Sequence, residues 1–169
     1  MTESPESLRR KLSASPVVRG LTTPELDEVI ALAEARLVQP GDYVFKQGDL
    51  ADALLIIMQG RVEVAKADQV LATLGIGEVL GELSLFGGTQ RRSAAARATS
   101  ETQVLRIPSK SFRKLLDASN VAALKVVCNV AHQIAERLSI LNEKLIEARK
   151  PSKTTPVPGE LKALHGWKL

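Results

Sequence analysis

Aromatic residues and cysteine are scarce in this chain. Only 3% of its 169 residues are Phe, Trp or Tyr, so a core has to be built from Leu, Ile, Val and Ala. Cys128 is the one cysteine, which excludes an internal disulfide and is typical of the reducing cytoplasm. No apolar run approaches the roughly 20 residues of a membrane-spanning helix, and the polar N-terminus is unlike a secretory signal. We therefore expect a cytoplasmic protein without a membrane span.

An excess of one charge is also missing from most of the chain. Residues 1–148 contain 18 of the 23 Lys and Arg residues and 18 of the 19 Asp and Glu residues. The net charge of +4 therefore arises within 149–169. A neutral body with a basic tail differs from the clustered positive surface of a DNA-binding domain, so we expect no direct DNA binding.

The order of the sequence patterns predicts an α+β fold. Thr22, Pro24 and the acidic residues that follow mark the start of a helix over 23–35. Short β-branched runs separated by Gly, Pro and Asp then predict an antiparallel barrel or jelly roll. The predicted strands are Leu37–Val38, Tyr43–Lys46, Ala53–Met58, Arg61–Lys66, Val70–Leu74, Ala94–Thr99 and Val104–Ile107.

Two helices are predicted after Pro108, over 109–116 and about 120–149. The second carries an apolar stripe at alternating four- and three-residue spacing: Leu124, Cys128, Ala131, Ala135, Leu138, Asn142 and Leu145. We expect Cys128, as a member of the stripe, to be a buried packing residue. The predicted organisation is a polar extension (1–14), one domain (15–149) and a basic linker and tail (150–169).

The run from Gly81 to Ala94 contains the candidate binding residues. It begins with a glycine and a carboxylate, continues through a short apolar turn, and ends on two arginines and a serine. An arginine pairs well with phosphate oxygens, a carboxylate accepts hydrogen bonds from sugar hydroxyls, and backbone N–H groups of a turn add to phosphate binding. The pattern predicts a ligand that carries a sugar diol and a phosphate. Arg91 and Arg92 taken alone would more often be a solvated surface pair.

Together with the glycine patterns in 39–49 and 56–62, this run resembles the phosphate-binding cassette of the cyclic-nucleotide-binding domain family. The resemblance covers roughly 15–148. It implies an antiparallel, jelly-roll-like β-roll with an N-terminal helical segment and two C-terminal helices. It further implies that Glu82 binds the ribose 2′-hydroxyl and that Arg92 binds the cyclic phosphate.

The resemblance implies further ligand contacts. Gly81 allows close approach of the backbone, while Leu83 and Ser84 present backbone N–H groups. Ser93 binds either the phosphate or the purine edge, and Val64 and Leu71 line the base. Asn142 either sets the register of a helix pair or reaches the purine. Leu141 is the alternative to Asn142 for the base.

Arg91 is the alternative phosphate anchor, because the kinase-regulatory branch of the family has a cassette one residue shorter. An ungapped match to the activator-like branch of the family, continuing through Ser93 to Phe112, favours Arg92.

The expected function is a stand-alone sensor for cAMP, with cGMP as the second choice, that relays binding to an unidentified protein partner. The family also implies a parallel homodimer through the long helix, although that helix could instead only cover the β-roll. The transcription factors of the family continue into a helix-turn-helix domain, for which 150–169 leave no room. We expect this tail to dock Trp167 on a partner, to fold back as a lid over the base, or to be a disordered end.

Two other functions compete with this expectation. One is a dimerising adaptor that binds no ligand, and the other is a receptor for a cyclic dinucleotide or another phosphorylated metabolite. No cluster of metal-ligating or catalytic residues is evident in the sequence, so we expect neither a metal cofactor nor an enzyme.

Overall fold

The computed structural model describes residues 4–86 and 91–149, with side chains to residue 147. Its described helices are α1 (Pro5–Leu12), α2 (Thr23–Ala31), α3 (Ser109–Asp117) and α4 (Val121–Arg149). Its described strands are β1 (Glu34–Val38), β2 (Tyr43–Phe45), β3 (Ala53–Gln59), β4 (Val62–Lys66), β5 (Gln69–Leu74), β6 (Val79–Leu80), β7 (Ala95–Ala98) and β8 (Thr102–Pro108). Short 3-10 turns cover Pro16–Val18 and Glu82–Ser84.

The described strands form two four-stranded antiparallel sheets. One has the order β1-β8-β3-β6 and the other the order β2-β7-β4-β5. This arrangement confirms the predicted α+β fold, an antiparallel roll with a helical segment before it and two helices after it. β6 was not predicted, because two residues are too few to show an alternating pattern.

The predicted helix over 23–35 was wrong at its C-terminal end. Its start is as expected, since Thr22 and Glu25 form a reciprocal capping box. The helix ends at Ala31, however, and Glu34 already pairs with Arg106 as the first residue of β1. Antiparallel pairing with β8 therefore overrides the local helical pattern.

β3 separates two apolar clusters because both of its faces are buried. Leu54, Ile56 and Met58 pack with the helices, in the cluster that contains Phe112. Leu55 and Ile57 pack between the two sheets. A strand buried on both faces reads as a continuous apolar run rather than an alternating one, as the sequence of β3 does.

The apolar stripe predicted on the long helix is not the face that packs on the core. The buried positions of α4 are Ala122, Ala123, Val126, Val130 and Gln133. Every member of the stripe, from Leu124 to Leu145, is exposed. The expectation that Cys128 is buried was therefore wrong, because the core uses the neighbouring face of the helix.

The chain divides into two compact units, one up to Ile134 and one from Ala135 onward. The predicted domain boundary at 14/15 stays a prediction. The basic tail, with Trp167, lies outside the described residues, as do 87–90 of the cassette. Among the described helices, none combines the length and the apolar character needed to cross a membrane.

One ion pair joins the capped start of α2 to α4 and makes stability depend on pH. The Nζ of Lys125 lies 2.7 Å from Oε2 of Glu25, and this hydrogen bond holds the pKa of Glu25 below its ordinary value. A lowered carboxyl pKa contributes stability at neutral pH that is lost as the pH falls through the folded-state value. We expect Glu25→Gln to lower the melting temperature at pH 7, with the difference from wild type shrinking below pH about 4.3.

The control for this prediction is Glu63→Gln, since the carboxylate of Glu63 has neither a hydrogen bond nor an ion pair with any described residue. Melting followed by circular dichroism from pH 7 to pH 3 measures both variants. A deficit in Glu25→Gln that stays constant across this range would contradict the assigned role of the pair.

Candidate functional site

The candidate site begins at Gly81, where the chain turns from β6 into the 3-10 turn Glu82–Ser84. Gly81 has φ of 70°, in the left-handed region that favours glycine. A Cβ atom at this position would collide with Nη1 of Arg92. Both the turn and the close approach of the Arg92 side chain therefore require glycine here.

The guanidinium of Arg92 is buried beside this turn, and the residue is 6% exposed. Its Nη2 donates a hydrogen bond of 2.9 Å to the carbonyl oxygen of Ala53, at the start of β3. Asp52 places Oδ1 3.9 Å from the same nitrogen, and the Phe45 ring centroid lies 4.4 Å from Cζ. The side chain is thus held by one carbonyl, one distant carboxylate and one aromatic face.

The backbone of Arg92 is fixed by the turn that follows β2. Its N–H donates to the carbonyl oxygen of Asp49 at 2.8 Å, and its own carbonyl accepts from the N–H of Gly48 at 2.9 Å. Residue 92 itself lies between the isolated bridge of Leu50 with Arg91 and the start of β7. The two backbone hydrogen bonds hold the main chain at a position where the side chain is buried.

Two nitrogens of the Arg92 guanidinium have no hydrogen-bond partner among the described residues. These are Nε and Nη1, and both are buried. An unsatisfied buried donor costs about 1–3 kcal/mol, and more when it belongs to a charged group. Burial lowers the pKa of Arg92, while the charges of Asp52 and Glu82 act in the opposite direction. Because arginine stays protonated at physiological pH, the site presents an incompletely paired cation.

Arg91 differs from its neighbour in the exposure of its side chain. Its side chain is exposed, and its Nη1 donates 2.8 Å to the carbonyl oxygen of Gly48. Successive residues of an extended segment face opposite sides, as expected for this pair. The geometry favours Arg92 as the phosphate anchor, and the assignment stays a prediction.

The 3-10 turn presents some of the groups expected of it. The carboxylate of Glu82 has no hydrogen bond or ion pair with a described residue, and its charge acts on Arg92. The N–H groups of Glu82 and Leu83 are the first of the turn, so no carbonyl within it accepts from them. The N–H of Ser84, however, donates to the carbonyl oxygen of Gly81 at 3.1 Å. This N–H thus has a partner within the turn, and the expected contact of Ser84 with a ligand stays a prediction.

The predicted base-lining residues lie on β4 and β5. Val64 is half-buried against the cluster between the sheets. Val64 pairs with Ala72 and the next pair joins Ala65 to Val70, which leaves Leu71 as an extra residue at this irregularity. Leu71 is 54% exposed. Their contact with a base stays a prediction.

The remaining predicted contacts come from two other segments. Ser93 is exposed next to Arg92. Asn142 and Leu141 are both exposed on α4, in the unit that starts at Ala135. The choice between Asn142 and Leu141 as the base contact remains open.

Sequence reasoning missed three neighbours of Arg92. In the sequence, Asp52 and Phe45 look like ordinary turn and strand residues. The carbonyl of Ala53 could not be identified, because every residue has a backbone carbonyl. The buried hydroxyl of Ser84, which has no partner among the described residues, was also missed. In the part of the chain that the structure describes, no three metal-ligating side chains lie together.

The two sheets, the glycine turn and the buried guanidinium define a β-roll with a cationic site at one turn. The sequence model for "Cyclic nucleotide-binding domain" matches residues 35–119. The chain is 34% identical over 123 residues to the cyclic AMP receptor protein of Thermus thermophilus, covering 67% of this chain and 56% of that protein. The chain belongs to the cyclic nucleotide-binding domain family.

Two further similarities differ in how much of the other protein they cover. A solved cyclic nucleotide-binding protein from Geobacter metallireducens is 25% identical with a TM-score of 0.69, covering 81% of this chain and 99% of that one. Glutaminase 1 of Bradyrhizobium diazoefficiens is 34% identical over 136 residues, covering 80% of this chain. The match includes only 22% of the glutaminase, so the chain spans a small part of that protein and about half of the Thermus receptor.

The requirement for glycine at 81 can be tested against a matched glycine. We expect Gly81→Ala to combine backbone strain of about 1–2 kcal/mol with displacement of the Arg92 side chain. Gly20→Ala is the control, because Gly20 has φ of 76° and no atom within 4 Å of an added Cβ. Denaturant unfolding is expected to show a larger loss for Gly81→Ala than for Gly20→Ala. Equal losses would contradict the close approach.

Proposed function

We propose that this chain is a cyclic-nucleotide sensor whose ligand is cAMP, with cGMP as the second candidate. The observation that carries the proposal is the buried guanidinium of Arg92, with Nε and Nη1 unpartnered among the described residues. A phosphate brings the negative oxygens that such a group lacks. The carboxylate of Glu82, which has no partner among those residues, is an acceptor for ribose hydroxyls.

Comparison with relatives supports cAMP as the nucleotide. The Thermus relative, 34% identical over the matched residues, is a cyclic AMP receptor by name. Ser93, the residue after the proposed anchor, is compatible with either purine, because a hydroxyl both donates and accepts hydrogen bonds. We therefore rank cAMP above cGMP because of the name of the Thermus relative, and not because of any residue in the site.

The relay of binding to a partner protein is proposed to start at the 3-10 turn. Leu85, directly after the turn, is buried in the cluster that contains Phe112 of α3 and Val126 of α4. Arg113 of α3 also donates a hydrogen bond of 3.4 Å from Nη2 to the carbonyl oxygen of Leu85. A ligand that draws the turn towards Arg92 would move α3 through these contacts. Such a switch requires that the ligand bind one arrangement more tightly than the other.

A homodimer through α4 is part of the proposal. The stripe from Leu124 to Leu145 is exposed, with Leu138 56% and Leu145 58% exposed. Its four- and three-residue spacing is the spacing by which two parallel helices interlock. A second copy of the chain, which carries the same stripe, is the partner we propose for it.

The two competing functions predict different ligand behaviour. An adaptor without a ligand gains nothing from a buried guanidinium with two nitrogens unpartnered among the described residues, and this observation disfavours it. A cyclic dinucleotide also carries phosphate and ribose, so the site by itself is compatible with it. The similarity to glutaminase 1 covers only 22% of that enzyme, which supports a regulatory role and not an enzymatic one for this chain. We also propose that the chain acts in the cytoplasm.

Substitution of the two arginines tests the proposed anchor. Removing a buried charge partner costs about 2–5 kcal/mol of binding, so we expect Arg92→Ala to weaken cAMP by about 30-fold to several-thousand-fold. Arg91→Ala is the matched control and should bind like wild type, because its side chain is exposed. Titration calorimetry measures all three proteins. Wild-type affinity in Arg92→Ala together with loss in Arg91→Ala would reverse the assignment.

The identity of the ligand requires the wild-type protein and a competition experiment. Binding of labelled cAMP is measured against unlabelled cAMP, cGMP and cyclic di-GMP. We expect cAMP to compete best. Stronger competition by cyclic di-GMP would favour the dinucleotide receptor, and no heat with any of the three in calorimetry would favour the adaptor.

The proposed dimer places two copies of Cys128 across the helix pair. We expect a short bis-maleimide to cross-link the wild-type chain into a dimer and to leave Cys128→Ser monomeric on a denaturing gel. Leu124→Glu changes an exposed residue, 47% exposed, and should abolish cross-linking while the fold stays intact. Equal cross-linking in wild type and Leu124→Glu would contradict this interface.

A further inference from the structure

We propose that Phe45 is a positioning residue that holds the guanidinium of Arg92 ready for an anion. The centroid of its ring lies 4.4 Å from Cζ of Arg92, so the aromatic ring covers the cation at stacking distance. The functional consequence of this role rests on the proposed nucleotide binding, whereas the stacking itself does not.

The position of Phe45 follows from an irregularity in β2. Tyr43 pairs with Arg97 and Phe45 pairs with Ala96, so the register shifts between these two pairs. Strict alternation would send Val44 and Phe45 to opposite faces of the sheet. Instead, Val44 is buried and Phe45 is half-buried against the same cluster between the sheets. The shift therefore lets two consecutive side chains contact the interior, and the second one reaches Arg92.

The hydrogen bonds and ion pairs of Arg92 by themselves leave the orientation of its guanidinium under-determined. Only Nη2 has a hydrogen bond to a described residue, to the carbonyl oxygen of Ala53. The carboxylate of Asp52 is 3.9 Å away and also binds Arg106 at 2.7 Å, so its charge is shared. A single hydrogen bond allows rotation about its own axis. The ring of Phe45 removes this freedom because it fixes the plane of the guanidinium.

A fixed plane has a direct effect on anion binding. The face of the guanidinium against Phe45 is closed to a ligand, so an anion has to approach from an open edge or the other face. Nε and Nη1 are the donors left for it. An ion that binds such a preorganised pair loses less free energy to ordering the side chain. Phe45 therefore contributes to affinity without touching the ligand.

The stacking can be measured without any nucleotide. In the ¹H–¹⁵N spectrum of the full chain, the Nε–H signal of Arg92, assigned by its absence in Arg92→Gln, is expected upfield of the other arginines because of the ring current. Phe45→Leu keeps an apolar side chain and should remove the shift, whereas Phe45→Tyr keeps the ring and should retain it. An Nε–H signal at the ordinary position in the wild-type protein overturns the inference, whether or not Phe45→Leu folds.

The effect on binding is measured by calorimetry with cAMP. We expect Phe45→Leu to bind about 5- to 30-fold more weakly than wild type, as the loss of a desolvated cation–π contact implies, and Phe45→Tyr to bind normally. In an Arg92→Gln background the same Phe45→Leu change should have no further effect, because there is no cation left to position. An equal loss in both backgrounds would show that Phe45 acts independently of Arg92 and would overturn the inference.

These outcomes separate the inference from the proposed function. If the wild-type protein binds no cyclic nucleotide but shows the upfield Nε–H signal, the stacking stands and the proposed function fails. If the wild type binds cAMP and Phe45→Leu binds it equally well, the proposed function stands and the positioning role fails.

Discussion

The site depends on the burial of one guanidinium group. A cation in the interior costs free energy unless it is paired, and the residues that the structure describes pair Arg92 only in part. The surrounding features are those that make this burial possible: a glycine at 81, the Ala53 carbonyl and the Phe45 ring. Each of these features accommodates the side chain of Arg92, although that side chain contributes little to the apolar core. Such an arrangement is expected where the missing partner is a ligand.

The order of elements could be predicted because local patterns and tertiary packing agree over most of the chain. Ala53–Gln59 reads as an apolar strand because both of its faces are buried, and Asn120 was expected at the start of the long helix, which its side chain caps through the N–H of Ala123. The end of α2 could not be predicted, since pairing of Glu34 with Arg106 is a long-range contact. Local sequence carries no information on such a partner.

The residues of the candidate site could also be predicted where they form a local pattern, but not where they depend on long-range contacts. Gly81, Glu82 and Arg92 could be named because the spacing of their residue types is distinctive. Phe45 could not, because its contact arises from a register shift in β2 that the sequence does not reveal. The apolar stripe of α4 was recognised. Its period of about 3.5 residues does not, however, determine whether the stripe or the neighbouring face of the helix packs on the core. The face that packs on the core carries small side chains, namely Ala122, Ala123, Val126 and Val130.

The doubly buried strand β3 has a consequence for how this domain can change over evolutionary time. Its even-numbered side chains Leu54, Ile56 and Met58 fill the helical side, and its odd-numbered side chains Leu55 and Ile57 fill the space between the sheets. A change of side-chain volume in either set disturbs the packing, because the interior is close-packed. Because the carbonyl of Ala53, at the start of this strand, also accepts the hydrogen bond of Arg92, changes in β3 would disturb both the packing and the position of the guanidinium. Substitutions are thus more accessible on the exposed edge around Leu71, where they leave the packing of both apolar clusters unchanged.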